Sequence, residues 1–171
     1  MKRFEAVRFV RPLATACLFA ALSHSRSLAG PLPGAGDLMR PVQAFSLAFN
    51  AGQTAFPHDA FTNDCSVIDG FAPYAWNGAE GDVHAWWSRL LGSSSAANHK
   101  RFLLLKEHLE WGTPIHVAIK DDRGYISTAG TLTYDLNGKR HVQRAIFTAA
   151  EINTAEGWRI RAHAWSITSD Q

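Results

Sequence analysis

Three turn signals punctuate the second half of the chain at regular intervals: Asp121-Asp122-Arg123-Gly124, Asn137-Gly138 and Thr154-Ala155-Glu156-Gly157. Asn-Gly between extended segments is a strong hairpin signal, because a tight type I′ turn needs positive φ at both central residues. The stretches between these turns are rich in Thr, Val, Ile, Tyr and Trp, side chains that fit a pleated, half-buried surface. The spacing predicts four long antiparallel strands, roughly 103–120, 124–136, 139–152 and 157–168. Gly112-Thr113-Pro114 interrupts the first of them. Proline has no N–H to give a ladder, so a bulge or bend is expected there.

Before the strands the pattern is helical. Val42, Phe45, Ala48 and Phe49 recur at helical spacing, which predicts a helix from Asp37, as its cap, to about Ala51. Gly52 suits the C′ position, and Pro41 fits if it lies in the first turn. A short second helix is expected within 54–63, then a brief strand over Cys65-Ser66-Val67-Ile68-Asp69. The stretch 70–81 is aromatic and turn-rich. Val83, Trp86, Trp87 and Leu90 then form the apolar stripe of a helix from about Asp82 to Leu91, ended by Gly92-Ser93-Ser94-Ser95. Helices followed by an antiparallel meander describe an α+β domain, here residues 37–171, with helices packed on one face of a sheet.

The N-terminus has another purpose. Lys2, Arg3, Arg8 and Arg11 precede an apolar run from Leu13 to Leu22, and Ser27-Leu28-Ala29 offers the small residues of a cleavage site. This order is that of a secretory signal peptide, residues 1–29, followed by a Gly/Pro-rich lead-in, residues 30–36. The run is too short for a stable membrane span, which needs about 20 apolar residues. Export to a periplasmic or extracellular location is the expectation, with cleavage near Ala29. Cleavage removes five basic residues and Glu5 from totals of 17 and 15, leaving 12 basic against 14 acidic. The formal charge of +2 thus becomes mildly negative, and no basic stripe remains to hold a nucleic acid. Cys65 is then the one cysteine of the domain, so no internal disulfide forms.

Side chains alternate across a strand. In the last strand Trp158, Ile160, Ala162, Ala164 and Ser166 share one face, while Arg159, Arg161, His163, Trp165 and Ile167 share the other. A sheet with one wet face should sort its residues more cleanly than this. The mixed faces predict that a second subunit covers the other side, giving a homodimer through the sheet.

The stretches Phe45–Gly52 (FSLAFNAG), Asn63–Trp76 (NDCSVIDGFAPYAW) and Gly157–Ser166 (GWRIRAHAWS), in this order, resemble the nuclear transport factor 2-like (NTF2-like) superfamily, in particular its SnoaL-like and ketosteroid-isomerase-like branches. The resemblance implies a cone of curved antiparallel sheet, closed by N-terminal helices around one pocket. It also places Asp69, in Ser66-Val67-Ile68-Asp69-Gly70-Phe71, on the general base of the ketosteroid isomerases. An aspartate at the mouth of an apolar pocket can move a proton α to a carbonyl. The isomerase oxyanion hole does not carry over: its tyrosine aligns with Phe45, and the third long strand has Arg144 and Phe147 but no carboxylate before Glu151.

His163 and His116, on the expected strands, are candidate acid–base partners of Asp69. Phe45, Phe71, Tyr74, Trp76, Trp86, Phe147 and Trp165 are candidate pocket residues, since ligand pockets are mostly apolar and aromatic. The histidines show no H-E-x-x-H or paired Cys/His spacing, and no Gly-rich phosphate loop occurs, so no metal and no cofactor are expected. Three readings follow: a domain binding a small, largely apolar organic molecule; an isomerase, dehydratase or cyclase with Asp69 as base; and a non-catalytic accessory domain that serves association.

Overall fold

The computed structural model describes residues 32–78, 82–91, 105–136 and 138–171. The signal-peptide stretch, Gly30 and Pro31 of the lead-in, Gly92-Ser93-Ser94-Ser95 and Asn137 lie outside the described residues. In chain order the elements are α1 (Ala35–Asn50), β1 (Phe61–Ile68), β2 (Ala75–Asn77), α2 (Asp82–Leu90), β3 (Leu105–Lys120), β4 (Arg123–Leu136), β5 (Lys139–Thr154) and β6 (Gly157–Asp170).

The four long strands form where the turn spacing puts them, paired as an antiparallel meander. The sheet as a whole is mixed. Its order is β2-β1-β6-β5-β4-β3, and β1 runs parallel to β6. An all-antiparallel sheet was the expectation for the cone. The exception arises because β1 and β6 are joined through the whole intervening chain, and such a long connection, unlike a hairpin, permits parallel pairing. The sheet is curved and open, with two helices on its concave side.

Three local expectations change. First, α1 begins at Ala35, inside the stretch read as lead-in, and its N-cap is Gly34 at φ 75° with no capping side chain. Asp37 is therefore a first-turn residue, 3.6 Å from Arg40, and Pro41 falls in the second turn rather than the first. There it lacks the N–H that would reach the Asp37 carbonyl. Secondly, no α-helix forms within residues 54–63: the amides of Ala60 and Phe61 both bond to the Pro57 carbonyl, and β1 starts at Phe61 rather than Cys65. Burial of the Phe61 ring, 1% exposed, accounts for the earlier start. Thirdly, β6 does not alternate strictly. Ala150 of β5 pairs with Ala162 and Glu151 with Ile160, so Arg161 is an extra, bulged residue. The bulge brings Ile160 and His163 to the same inner face, where both are buried. Part of the mixed pattern that suggested a second subunit is this bulge.

The other local signals hold. Register shifts surround Pro114, and the Thr128 hydroxyl donates to the Gly112 carbonyl at 2.9 Å. At the end of α1 the Gly52 amide bonds to Phe49 and that of Gln53 to Ala48. With Gly52 at φ 61° this is a Schellman cap.

The core lies between α1, α2 and the inner face. Leu38, Val42, Phe45 and Phe49 of α1 and Trp86 and Trp87 of α2 are all buried against Ile126, Phe147 and Ile160. Two polar staples tie α1 to β3: the Asn50 amide donates to the Leu109 carbonyl while its oxygen accepts from the Leu109 N–H, and the Trp111 indole donates to the Val42 carbonyl.

Candidate functional site

Asp69 follows β1 immediately, where Ile68 pairs with Ala75 and the chain turns towards β2. Its carboxylate is held at both oxygens: the Gly70 amide donates to Oδ1 at 2.6 Å and the Trp86 indole N–H to Oδ2 at 2.8 Å. Helix α2 thereby positions the carboxylate from above the sheet. Burial pushes the Asp69 carboxyl above its ordinary range, and the bonds from Trp86 and Gly70 partly offset that push.

His163 sits one strand away, paired with Val67 of β1. Its ring lies among Phe45, Phe61, Trp86 and Phe147, with centroids 6.0, 5.6, 5.1 and 5.2 Å away. Burial lowers its pKa to about 3, so the imidazole is neutral. Trp86 touches both groups, edge-on to His163 and hydrogen-bonded to Asp69. It therefore connects the two sequence candidates.

The pocket candidates divide. Phe45 is the hub of the interior, in ring contact with Phe49, Phe61, Trp86, Trp87, Trp111, Phe147 and His163. Trp76 of β2 pairs with Val67 from the side opposite His163, lies tilted against Phe71 at 5.7 Å, and carries the Arg89 guanidinium 5.1 Å from its ring. Trp165 stands at the margin, its indole bonded to the Gln143 oxygen at 2.8 Å and its ring 6.1 Å from Trp111. Tyr74 is 62% exposed and does not line the interior. His116 does not join the cluster either: it is exposed and packs against Tyr125 at 5.6 Å. The register shifts around Pro114 place it beside Ser127 on the outer face, away from Asp69.

Two buried nitrogens in this cluster have no hydrogen-bond partner among the described residues, His163 Nδ1 and Trp76 Nε1. Both belong to residues that pair with Val67, one on each side. No group of three or more His, Cys, Asp or Glu side chains suited to a metal occurs among the described residues.

No protein-family model matches this sequence, and no curated protein matches it. Solved structures do. A ketosteroid isomerase-like protein from Erwinia carotovora atroseptica superimposes with a TM-score of 0.60 at 15% identity, covering 80% of this chain and 98% of that one. An NTF2-like protein with a cystatin-like fold from Novosphingobium aromaticivorans gives 0.59 at 11% identity, covering 78% and 81%. A scytalone dehydratase-like protein from the same organism gives 0.62 at 8% identity, covering 80% and 85%.

The fold is NTF2-like.

Within this NTF2-like fold Trp86 brings Asp69 and His163 together, and Trp76 and His163 flank Val67. Trp111 and Phe61 were missed as members of the same interior, whereas Trp87 follows from the apolar stripe of α2. Trp111 shares its face with Leu109, but the bulge at Pro114 breaks the period by which β3 could have been read. A further group escaped notice: Glu151, 2% exposed, whose two carboxylate oxygens have no partner among the described residues. It pairs with Gly124 and Ile160 on the inner face, and burial raises it to about 8. Reading Arg161 as an ordinary strand residue hides this face assignment.

Proposed function

We propose that the concave side binds a small, largely apolar organic molecule bearing a polar group that meets His163 and Trp76. The observation that carries this reading is the pair of partnerless buried nitrogens flanking Val67, next to Asp69. An unsatisfied buried polar group costs about 1–3 kcal/mol, a cost that a ligand oxygen would remove. The surrounding Phe45, Phe61, Trp86 and Phe147 rings supply the apolar wall such a ligand needs.

A second reading rests on Asp69 itself. A carboxylate raised by burial, fixed by Trp86 and placed at the edge of an aromatic interior is suited to proton transfer α to a carbonyl, as in isomerisation, dehydration or ring closure. The similarity of the fold to ketosteroid isomerase-like and scytalone dehydratase-like proteins supports that chemistry as a direction. His163, neutral and close to Trp86, would donate or accept one hydrogen bond to the reacting molecule. The accessory reading draws its support from how fully aromatic rings surround Phe45.

A thermal-shift screen of cyclic ketones, enones and phenols separates these readings. The binding proposal expects at least one compound to stabilise the protein, by about 2.7 kcal/mol at a hundredfold excess over Kd. His163→Phe should abolish that shift. No shift across the screen favours the accessory domain. If the hit is also turned over, Asp69→Asn should keep the shift and lose turnover; equal turnover in both proteins would remove Asp69 as the base.

Export and self-association complete the proposal. The N-terminal pattern supports export. The outer sheet face supports a homodimer, because Ile68 and Tyr125 are 60% and 42% exposed there. The small side chains of Ala164, Ala162 and Ala150 lie between them.

A further inference from the structure

A cleft of about 360 Å³ opens at the C-terminal end of α1, lined among the described residues by Phe49, Asn50, Ala51, Gly52, Thr54, Leu91 and Glu107. None of Asp69, Trp76, Trp86 or His163 borders it. Its chemistry differs from that of the aromatic interior, because it joins an apolar wall to concentrated negative character.

That character has two sources. The last turn of α1 contains no basic residue; the Schellman bonds occupy the carbonyls of Ala48 and Phe49, and the residues that end the helix, Asn50 and Ala51, line the cleft. A helix C-terminus carries about half a negative charge, and a cation normally sits there. The second source is Glu107, the one charged side chain of the lining among the described residues. Burial alone pushes its carboxyl up to about 7, with no cation among the described residues to counter it. Its neighbours His108 and Glu110 pair with each other at 3.2 Å on the exposed side of β3.

We propose that this cleft is a separate binding site for a small organic ammonium ion with an apolar body. The ammonium group bonds the Glu107 carboxylate and lies against the end of α1, while Phe49 and Leu91 cover the apolar part. A neutral or anionic ligand of the same shape fits worse, since it leaves the carboxylate uncompensated or repels it. The cleft volume falls at the lower end of the range for ligand sites, roughly 300–1,000 Å³, so a single-ring amine is the right scale.

Amide NMR titrations with benzylammonium, benzyl alcohol and benzoate test the site. Benzylammonium should shift the Gly52, Thr54 and Glu107 amides saturably, with an affinity about tenfold above that of benzyl alcohol, a difference of about 1.4 kcal/mol. Benzoate should leave those signals in place. Glu107→Gln should erase the tenfold preference, and Asp69→Asn should retain it, which separates this site from the aromatic interior. Equal affinity for benzylammonium and benzyl alcohol, or an unchanged preference in Glu107→Gln, overturns the proposal. Glutamine is isosteric and removes a buried charge, so the variant should melt no lower than the parent. Should it fail to fold, the comparison of the two probes on the unmodified protein still decides the matter.

Discussion

Glu151 shows how far a residue's chemistry depends on its neighbours. As a sequence letter it was the first carboxylate after Arg144 on the third long strand. In the fold it is almost wholly buried beside Gly124 and Ile160, with both oxygens unpartnered among the described residues. Its folded pKa, about 8, exceeds the ordinary 4.5 of a glutamate, so the folded state holds this proton more tightly than the unfolded chain does. The stabilising contribution is full at pH values below 4.5 and is lost as pH rises through 8. Glu151→Gln should therefore gain stability relative to the parent as pH climbs across that window, by several kcal/mol at its upper end. Urea unfolding at pH 5 and pH 8 measures the difference; a constant offset between the two proteins would contradict the burial argument. His163 runs the other way. Burial depresses it to about 3, so its contribution is present above pH 6.5 and lost as pH falls.

At the scale of elements, the long strands and α2 were legible because their signals are local. The turn residues at Asp121-Asp122, Asn137-Gly138 and Ala155-Glu156 fix where strands end whatever surrounds them. Trp86 and Trp87 fall on one face of α2 by helical geometry alone. The region 54–63 was misread because burial of the Phe61 ring and parallel pairing with β6 decide it, and both are long-range. The Arg161 bulge was equally invisible, since nothing in Arg159-Ile160-Arg161-Ala162 marks which residue is extra. It has a sharp consequence: without it, His163 and Trp165 would point to the outer face. Deleting Arg161 should therefore abolish the cooperative melting transition, measured by circular dichroism, because the rows on either side of it cannot both stay inside. Arg161→Ala, which keeps the bulge and loses the exposed contacts to Asp64, the ion pair at 2.9 Å and the hydrogen bond to its carbonyl, should cost no more than about 1 kcal/mol. Equal behaviour of the two variants would show that the bulge does not set the face of β6.

For the whole molecule, export and self-association meet in one measurement. Native mass spectrometry of protein recovered from the exported fraction should give twice the mass of a chain beginning near Gly30. A monomer at micromolar concentration would remove the sheet-face dimer, and an intact Met1 would remove the export signal. The Arg161 bulge accounts for the mixing on β6, so that mixing no longer speaks for the proposed dimer. What supports it is the apolar strip from Ile68 to Tyr125 on the outer face. The sequence by itself determined the α+β class, the four long strands, the helix carrying Trp86 and Trp87, and the position of Asp69 at the end of a strand. Each follows from interactions within a few residues: turn chemistry, helical spacing, alternation. Only the tertiary structure decided that β1 lies parallel to β6, that His163 and not His116 shares the interior with Asp69, and that Trp86 joins the two. It also decided that Glu107 and Glu151 lack a counter-charge among the described residues. Those facts depend on which strands meet and on the register at which they meet. One bulged residue reverses the face of those that follow it, as far as the next register shift between Ile167 and Ser169, and no local pattern records where it falls.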